Sequence, residues 1–128
     1  MKILTAFLMT VIILSGCAAP AREISYQQVS AEQAMKIMSE QSDYIILDVR
    51  TPSEFEAKHI VGAINIPNEE IGNEELPQLP DKEQLILVYC RSGNRSKQAS
   101  QKLVDLGYTN IVEFGGIIDW TGETVSGN

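Results

Sequence analysis

The sequence predicts an α/β domain built on a mainly parallel sheet of about five strands. Three observations point there. Short apolar runs alternate with capped helical patterns, two of the runs are continuously apolar as strands buried on both faces are, and no repeat or low-complexity block interrupts the alternation. A chain of 128 residues supports one compact core and is short for two.

The chain opens on a leader. Met1-Lys2, the apolar stretch Ile3 to Leu14 and Ser15-Gly16-Cys17 give a charged start, a 12-residue apolar run and a small-residue cleavage site, the order of a secretory signal. The run is shorter than the ~18 residues a membrane-spanning helix needs, so residues 1–16 read as a signal peptide. Leu14-Ser15-Gly16-Cys17 resembles the lipobox of bacterial lipoproteins, which implies that Cys17 becomes a lipid-bearing N-terminus. The expected location is exported and membrane-anchored, on a periplasmic or other extracytoplasmic face, with acyl chains buried at ~0.8 kcal/mol per CH2 supplying the attachment. Residues 17–25, including Ala18-Ala19-Pro20-Ala21, are small and aperiodic and read as a tether, leaving 26–128 as the folded domain.

Within that domain Tyr26 to Val29 reads as a short first strand. Ser30-Ala31-Glu32-Gln33 is a capping box, and Ala34, Ile37 and Met38 follow at helical spacing. Tyr44-Ile45-Ile46-Leu47 is a strand buried on both faces. Thr51-Pro52-Ser53-Glu54 caps a second helix, with proline at its first position. Ala63 to Ile66 and Gln84 to Tyr89 are further strands, the latter long and apolar enough to be central, with the acidic stretch Glu69 to Glu75 between them. A helix over about Arg95 to Leu106 presents Ala99, Leu103 and Leu106 to the core and stops at Gly107. Asn110 to Phe114 is read as the last strand. In open sheets of this class ligands bind beyond the carboxyl ends of the strands, which brings Asp48-Val49-Arg50 and the residues after Tyr89 to one crevice.

Charge and cysteine count exclude several functions. The formal net charge is −7, becoming −8 once Lys2 leaves with the leader, which argues against general nucleic-acid or anionic-lipid binding. Cys17 and Cys90 are the only cysteines and His59 the only histidine, so neither a disulfide framework nor a zinc site of the usual kind is expected, and no cofactor is implied.

Chemistry concentrates at Cys90. It follows a buried strand and precedes Arg91-Ser92-Gly93-Asn94-Arg95-Ser96 and then a helix, a place where unpaired backbone N–H groups converge. Such amides, together with the cations Arg91, Arg95, Lys97 and Lys102, lower a thiol pKa and make the thiolate available near neutral pH. No Asp or Glu occurs between Glu83 and Asp105, so this stretch is a basic island in an acidic chain and points to a small anionic substrate. Gly93 can take positive φ and curl amides around one point. A buried inert cysteine would have no use for such a loop.

Cys90-Arg91-Ser92-Gly93-Asn94-Arg95-Ser96 resembles the active-site loop of single-domain rhodaneses. Leu47-Asp48-Val49-Arg50 with Glu54-Phe55, then His59 to Pro67, then Gly115-Gly116 with Trp120, are similar to the family's remaining motifs in the same order. The resemblance implies the rhodanese-like fold, a sheet flanked by helices on both faces, and a two-step sulfur transfer. The Cys90 thiolate attacks the outer sulfur of thiosulfate or a similar donor, sulfite leaves, and the persulfide passes sulfur to an external acceptor, cyanide or a thiol, including that of a thiol protein. The loop residues Arg91 to Ser96 would cradle the persulfide, with Arg91 and Arg95 drawing in the anion. Ser96 is read as a helix cap and Asp48 with Arg50 as a supporting pair that orders neighbouring loops. His59 is taken as structural, Trp120 as a packing anchor, and the protein as a monomer.

Two rivals remain. Cysteine phosphatases and arsenate reductases also hold an oxyanion in an amide cradle, but their pattern places arginine after five intervening residues, where this chain has Ser96, its Arg95 falling one residue early. A rhodanese-like module can also act without turnover, as a persulfide carrier or a binding domain, with the same thiolate and cradle.

Overall fold

The computed structural model describes residues 25–128, so the leader, Cys17 and nearly all of the tether lie outside the described residues. In chain order the elements are β1 (Gln27–Gln28), α1 (Ala31–Glu40), β2 (Tyr44–Asp48), α2 (Pro52–Ala57), β3 (His59–Ile60), β4 (Ile64–Asn65), β5 (Leu85–Cys90), α3 (Asn94–Asp105), β6 (Ile111–Gly116) and β7 (Thr124–Val125), with single 3-10 turns at Asn68–Glu70 and Ile117–Asp119. Five strands form one sheet in the order β1-β6-β5-β2-β4, every neighbouring pair parallel.

The helix starts follow from local chemistry. The Ser30 hydroxyl accepts from Gln33 N at 3.1 Å while Gln33 Oε1 accepts from Ser30 N at 2.9 Å, a reciprocal capping box. Thr51 and Glu54 do the same for α2, with Pro52 in the first turn, where its missing N–H costs nothing.

Alternation along the strands divides the core in two. Leu47, Val49, Ile86, Val88, Cys90 and Ile111 face Ala99 and Leu103 of α3. Ile46, Leu87, Tyr89, Val112 and Phe114 face Ala34 of α1 on the other side. Helices therefore cover both faces of the sheet, which is why β2 and β5 read as continuous apolar runs. Burial of each large aliphatic side chain in these layers contributes about 1.5–3 kcal/mol.

Two features depart from the sequence expectation. Asn110 to Phe114 is the core of β6 but not the last strand, since β7 follows and pairs antiparallel with β3 in a separate two-stranded ribbon. Ribbon strands of two residues are too short to leave a periodic signature. The other departure is at β5 and β6, which change register between Val88↔Glu113 and Cys90↔Gly116. Two residues of β6, Phe114 and Gly115, match the single Tyr89 of β5, and Gly115 takes φ +85°, as the extra residue of a bulge demands.

Candidate functional site

β2 ends at Asp48 and β5 at Cys90, and their register, Asp48↔Tyr89, puts both carboxyl ends at one edge of the sheet. The loop after Cys90 turns straight into α3. Gly93 is its N-cap, at φ +114°, a conformation that side chains other than glycine's rarely adopt. Gly116 is needed for a different reason. A Cβ there would stand 1.9 Å from the Arg91 carbonyl oxygen, so β6 passes under the loop with no room for a side chain.

Cys90 is 1% exposed and its sulfur is solvated by protein. Gly93 N donates to Sγ at 3.0 Å, and the Sγ–Oγ distance to Ser96 is 3.4 Å. Burial alone would push the thiol up, but the Ser96 hydroxyl and the amides of Ser96, Gly93 and Ser92 outweigh it and hold Cys90 below the ordinary cysteine range. The first turn of α3 carries no acidic residue, so its positive end acts on the sulfur unopposed by a carboxylate from that turn.

The loop residues lie together between β5 and the first turn of α3, but their surroundings divide them. Arg91, Ser92 and Asn94 are exposed, while Gly93 and Ser96 are buried against the strands. Ser96 is not the cap. It sits in the first turn of α3, its hydroxyl 2.7 Å from Glu113 Oε1 and 2.9 Å from the Gly93 carbonyl oxygen, and Gly93 takes the cap with its backbone alone. Arg95 Nη1 and Nη2 hold Glu54 Oε1 and Oε2 at 2.6 and 3.0 Å. That pair, with Thr51 assisting, draws the Glu54 carboxyl down to about 2. Lys102 does not serve the site. It lies roughly two turns further along α3, where Nζ donates to the backbone and side-chain oxygens of Asn68. Lys97 is exposed on the same helix.

Asp48 and Arg50 form a buried pair, Nη2–Oδ2 2.7 Å, with Arg50 Nη2 also donating to the Lys58 carbonyl at 2.6 Å and Asn65 Nδ2 tying down the Asp48 and Arg50 carbonyls. The pair clamps the ends of β2, α2 and β4 together. His59 is buried, its Nδ1 2.7 Å from the Phe55 carbonyl and its ring stacked on Phe55 at 3.7 Å, and Trp120 packs on Phe114. Both are packing residues here. An open depression beside the loop is lined by Arg50, Glu54, Lys58, Arg91, Ile117 and Ile118. Among the described residues no three His, Cys, Asp or Glu side chains gather as metal ligands would.

Sequence reasoning missed two carboxylates. Glu54 was visible as part of a cap and of a family-like motif but not as a partner of Arg95, and Glu113, 2% exposed beneath the loop, gave no signal because a single charged residue in an apolar strand does not mark a site.

A family model described as the rhodanese-like domain matches residues 30–123. The chain belongs to the rhodanese family. It is 38% identical over 81 residues to the thiosulfate sulfurtransferase PspE of Escherichia coli strain K12, covering 63% of this chain and 78% of that one. To the thiosulfate sulfurtransferase GlpE of Pseudomonas entomophila it is 32% identical over 108 residues, 80% and 95% of the two chains. Among solved structures, a rhodanese with anions from E. coli superposes with a TM-score of 0.61 at 37% identity, covering 66% of this chain and 99% of that chain. The rhodanese fold read from the motifs is therefore the fold of this chain.

Proposed function

We propose that the protein is a sulfurtransferase that moves sulfane sulfur from thiosulfate or a similar small anionic donor, through a persulfide on Cys90, to an external thiophilic acceptor, cyanide or a thiol. The observation that carries this reading is a buried sulfur that accepts from Gly93 N at 3.0 Å and whose pKa is drawn below the ordinary cysteine value, against the effect of burial, by the Ser96 hydroxyl and the amides of Ser96, Gly93 and Ser92. A persulfide is an extended anion on the same atom, and the same donors serve it. Relatives named as thiosulfate sulfurtransferases and a relative's structure described with anions support the reading.

Arg91, exposed beside the depression, is the cation that meets the donor, since Arg95 is engaged by Glu54. The leader-like start and the lipobox-like Leu14-Ser15-Gly16-Cys17 support an extracytoplasmic membrane face as the site of this chemistry. The test is intact mass of the soluble domain after thiosulfate, in wild type and Cys90→Ser, followed by a cyanide chase. A gain of one sulfur atom that needs Cys90 and leaves as thiocyanate is expected. A reactive thiol whose mass never changes with any sulfane donor would replace the enzyme with a binding module, and Cys90-dependent aryl phosphate turnover would replace it with a phosphatase.

A further inference from the structure

Glu113 stands on the α3 face of β6, one residue before the bulge, and its carboxylate is buried directly under the Cys90 loop. Both of its bonds fall on Oε1, from Ser96 Oγ at 2.7 Å and from Gly115 N at 2.7 Å. Among the described residues no ion pair reaches it. The nearby charges are committed or outward: Arg95 to Glu54, Arg50 to Asp48, with Arg91 and Lys97 exposed, and the paired strand β1 presents the uncharged Gln27 and Gln28. Tyr89 of β5 points to the opposite face of the sheet.

Ser96 links this carboxylate to the sulfur. Its hydroxyl is fully buried, 2.7 Å from Glu113 Oε1, 2.9 Å from the Gly93 carbonyl oxygen, 3.3 Å from the Gly115 carbonyl oxygen and 3.4 Å from Cys90 Sγ, and it has one proton to give among them. With Cys90 a thiol, S–H donates to Ser96 Oγ and the Ser96 proton faces Glu113. With Cys90 a thiolate, the sulfur becomes an acceptor, and a Ser96 proton turned to it leaves Glu113 without its hydroxyl donor unless Glu113 itself carries a proton. Two anions competing for one buried hydroxyl are mutually unfavourable, and a single proton held between them resolves the conflict.

We propose that Glu113 is the internal proton acceptor for the Cys90 thiol, reached through the Ser96 hydroxyl, so that the sulfur becomes anionic without the cradle gaining charge. In this step the S–H bond of Cys90 breaks and its proton bonds to Ser96 Oγ, while the original Ser96 proton passes to Glu113 Oε1. The products are a thiolate facing a Ser96 O–H and a neutral Glu113 acid that donates to Ser96 Oγ and keeps the bond from Gly115. Net charge is conserved. Glu113 never touches the substrate and acts as a positioning residue through Ser96. The inference leans on the sulfur-transfer reading only for what the thiolate attacks next, because thiolate formation is measured with no sulfur donor present.

The test is the pH profile of Cys90 alkylation by iodoacetamide in wild type, Glu113→Gln and Ser96→Ala, with infrared spectra across the same range. Coupled sites titrate in two macroscopic steps, so wild type should show two and each variant one. Infrared spectra of wild type should contain a pH interval in which the Cys90 S–H stretch is lost while a protonated-carboxyl band persists, and Glu113→Gln should lose that band. A single step at the same midpoint in wild type and Glu113→Gln, with no such interval, overturns the proposal. The wild-type spectrum alone decides the matter if the Gln variant fails to fold. A two-step profile in a protein that never takes sulfur from any donor would remove the sulfur-transfer reading and leave the relay standing.

Discussion

Arg95 and Glu54 form a bidentate ion pair across 41 residues of sequence, joining the first turn of the helix after the reactive cysteine to the capping box of α2. The contact fixes the far side of the loop and removes one of its two arginines from the pool that attracts anions. Its stability effect has a definite pH signature. The folded Glu54 carboxyl is held at about 2, below its ordinary 4.5, so the stabilisation is complete above pH 4.5 and is lost as pH falls toward 2. With both side chains about a third exposed, at 32% and 31%, solvent screening limits it to about 0.5–1 kcal/mol. Urea unfolding of wild type and Glu54→Gln should differ by that amount at neutral pH and converge at low pH.

Arg91 is the exposed cation at the lip of the depression. Its attraction for an anionic donor acts over distance and is screened by salt. Arg91→Ala should raise KM for thiosulfate on the order of 10-fold at low ionic strength, leave kcat nearly unchanged, and show a weaker salt dependence than wild type. Arg91→Lys should restore most of the loss. A kcat collapse with KM intact would instead put the guanidinium on the leaving group.

Much of this site was legible in the sequence, and the reason is local. Cys90, the loop to Ser96 and the helix after it are contiguous, so strand, turn and helix start can be read from neighbouring residues. The Asp48–Arg50 pair is likewise two residues apart. What stayed hidden is what the fold brings from elsewhere. Glu113 reaches Ser96 across 17 residues and Glu54 reaches Arg95 across 41, so the basic island of the sequence is flanked by two carboxylates in space. Ser96 was misread for the same reason: its hydroxyl is spent on a distant carboxylate, and a glycine with no side chain takes the cap.

The Asp48–Arg50 pair sits with Asp48 fully buried and Arg50 5% exposed. Removing one member strands the other in the interior, which costs about 3–5 kcal/mol. Asp48→Ala should therefore lose stability of that order, whereas Val61→Ala, at an exposed apolar position, should shift it by no more than about 0.5 kcal/mol. Chemical denaturation of the two variants decides whether the pair is a clamp or a bystander.

Gly116 is the test of the close passage under the loop. A methyl group there meets the Arg91 carbonyl carbon at 2.3 Å as well as its oxygen, and both are backbone atoms that cannot swing aside. Gly116→Ala should cost about 3 kcal/mol and lift the loop off β6, and with it the amides from the sulfur. Alkylation of Cys90 at neutral pH should slow in the folded fraction. Unchanged stability would mean that the loop has room to move.

The two cysteines should separate cleanly. Cys90→Ser replaces a buried sulfur by a smaller hydroxyl that Gly93 N and Ser96 can still satisfy, so stability should change by no more than about 1.5 kcal/mol while persulfide formation disappears. Cys17→Ser removes the proposed acylation site and with it the ~0.8 kcal/mol per buried CH2 that would hold the protein to a bilayer. Fractionation of cells expressing the full chain should then move the Cys17 variant from membranes to the soluble fraction with its sulfur transfer intact, and leave the Cys90 variant on membranes and inactive. Membrane retention of the Cys17 variant would mean that the apolar leader is kept as the anchor.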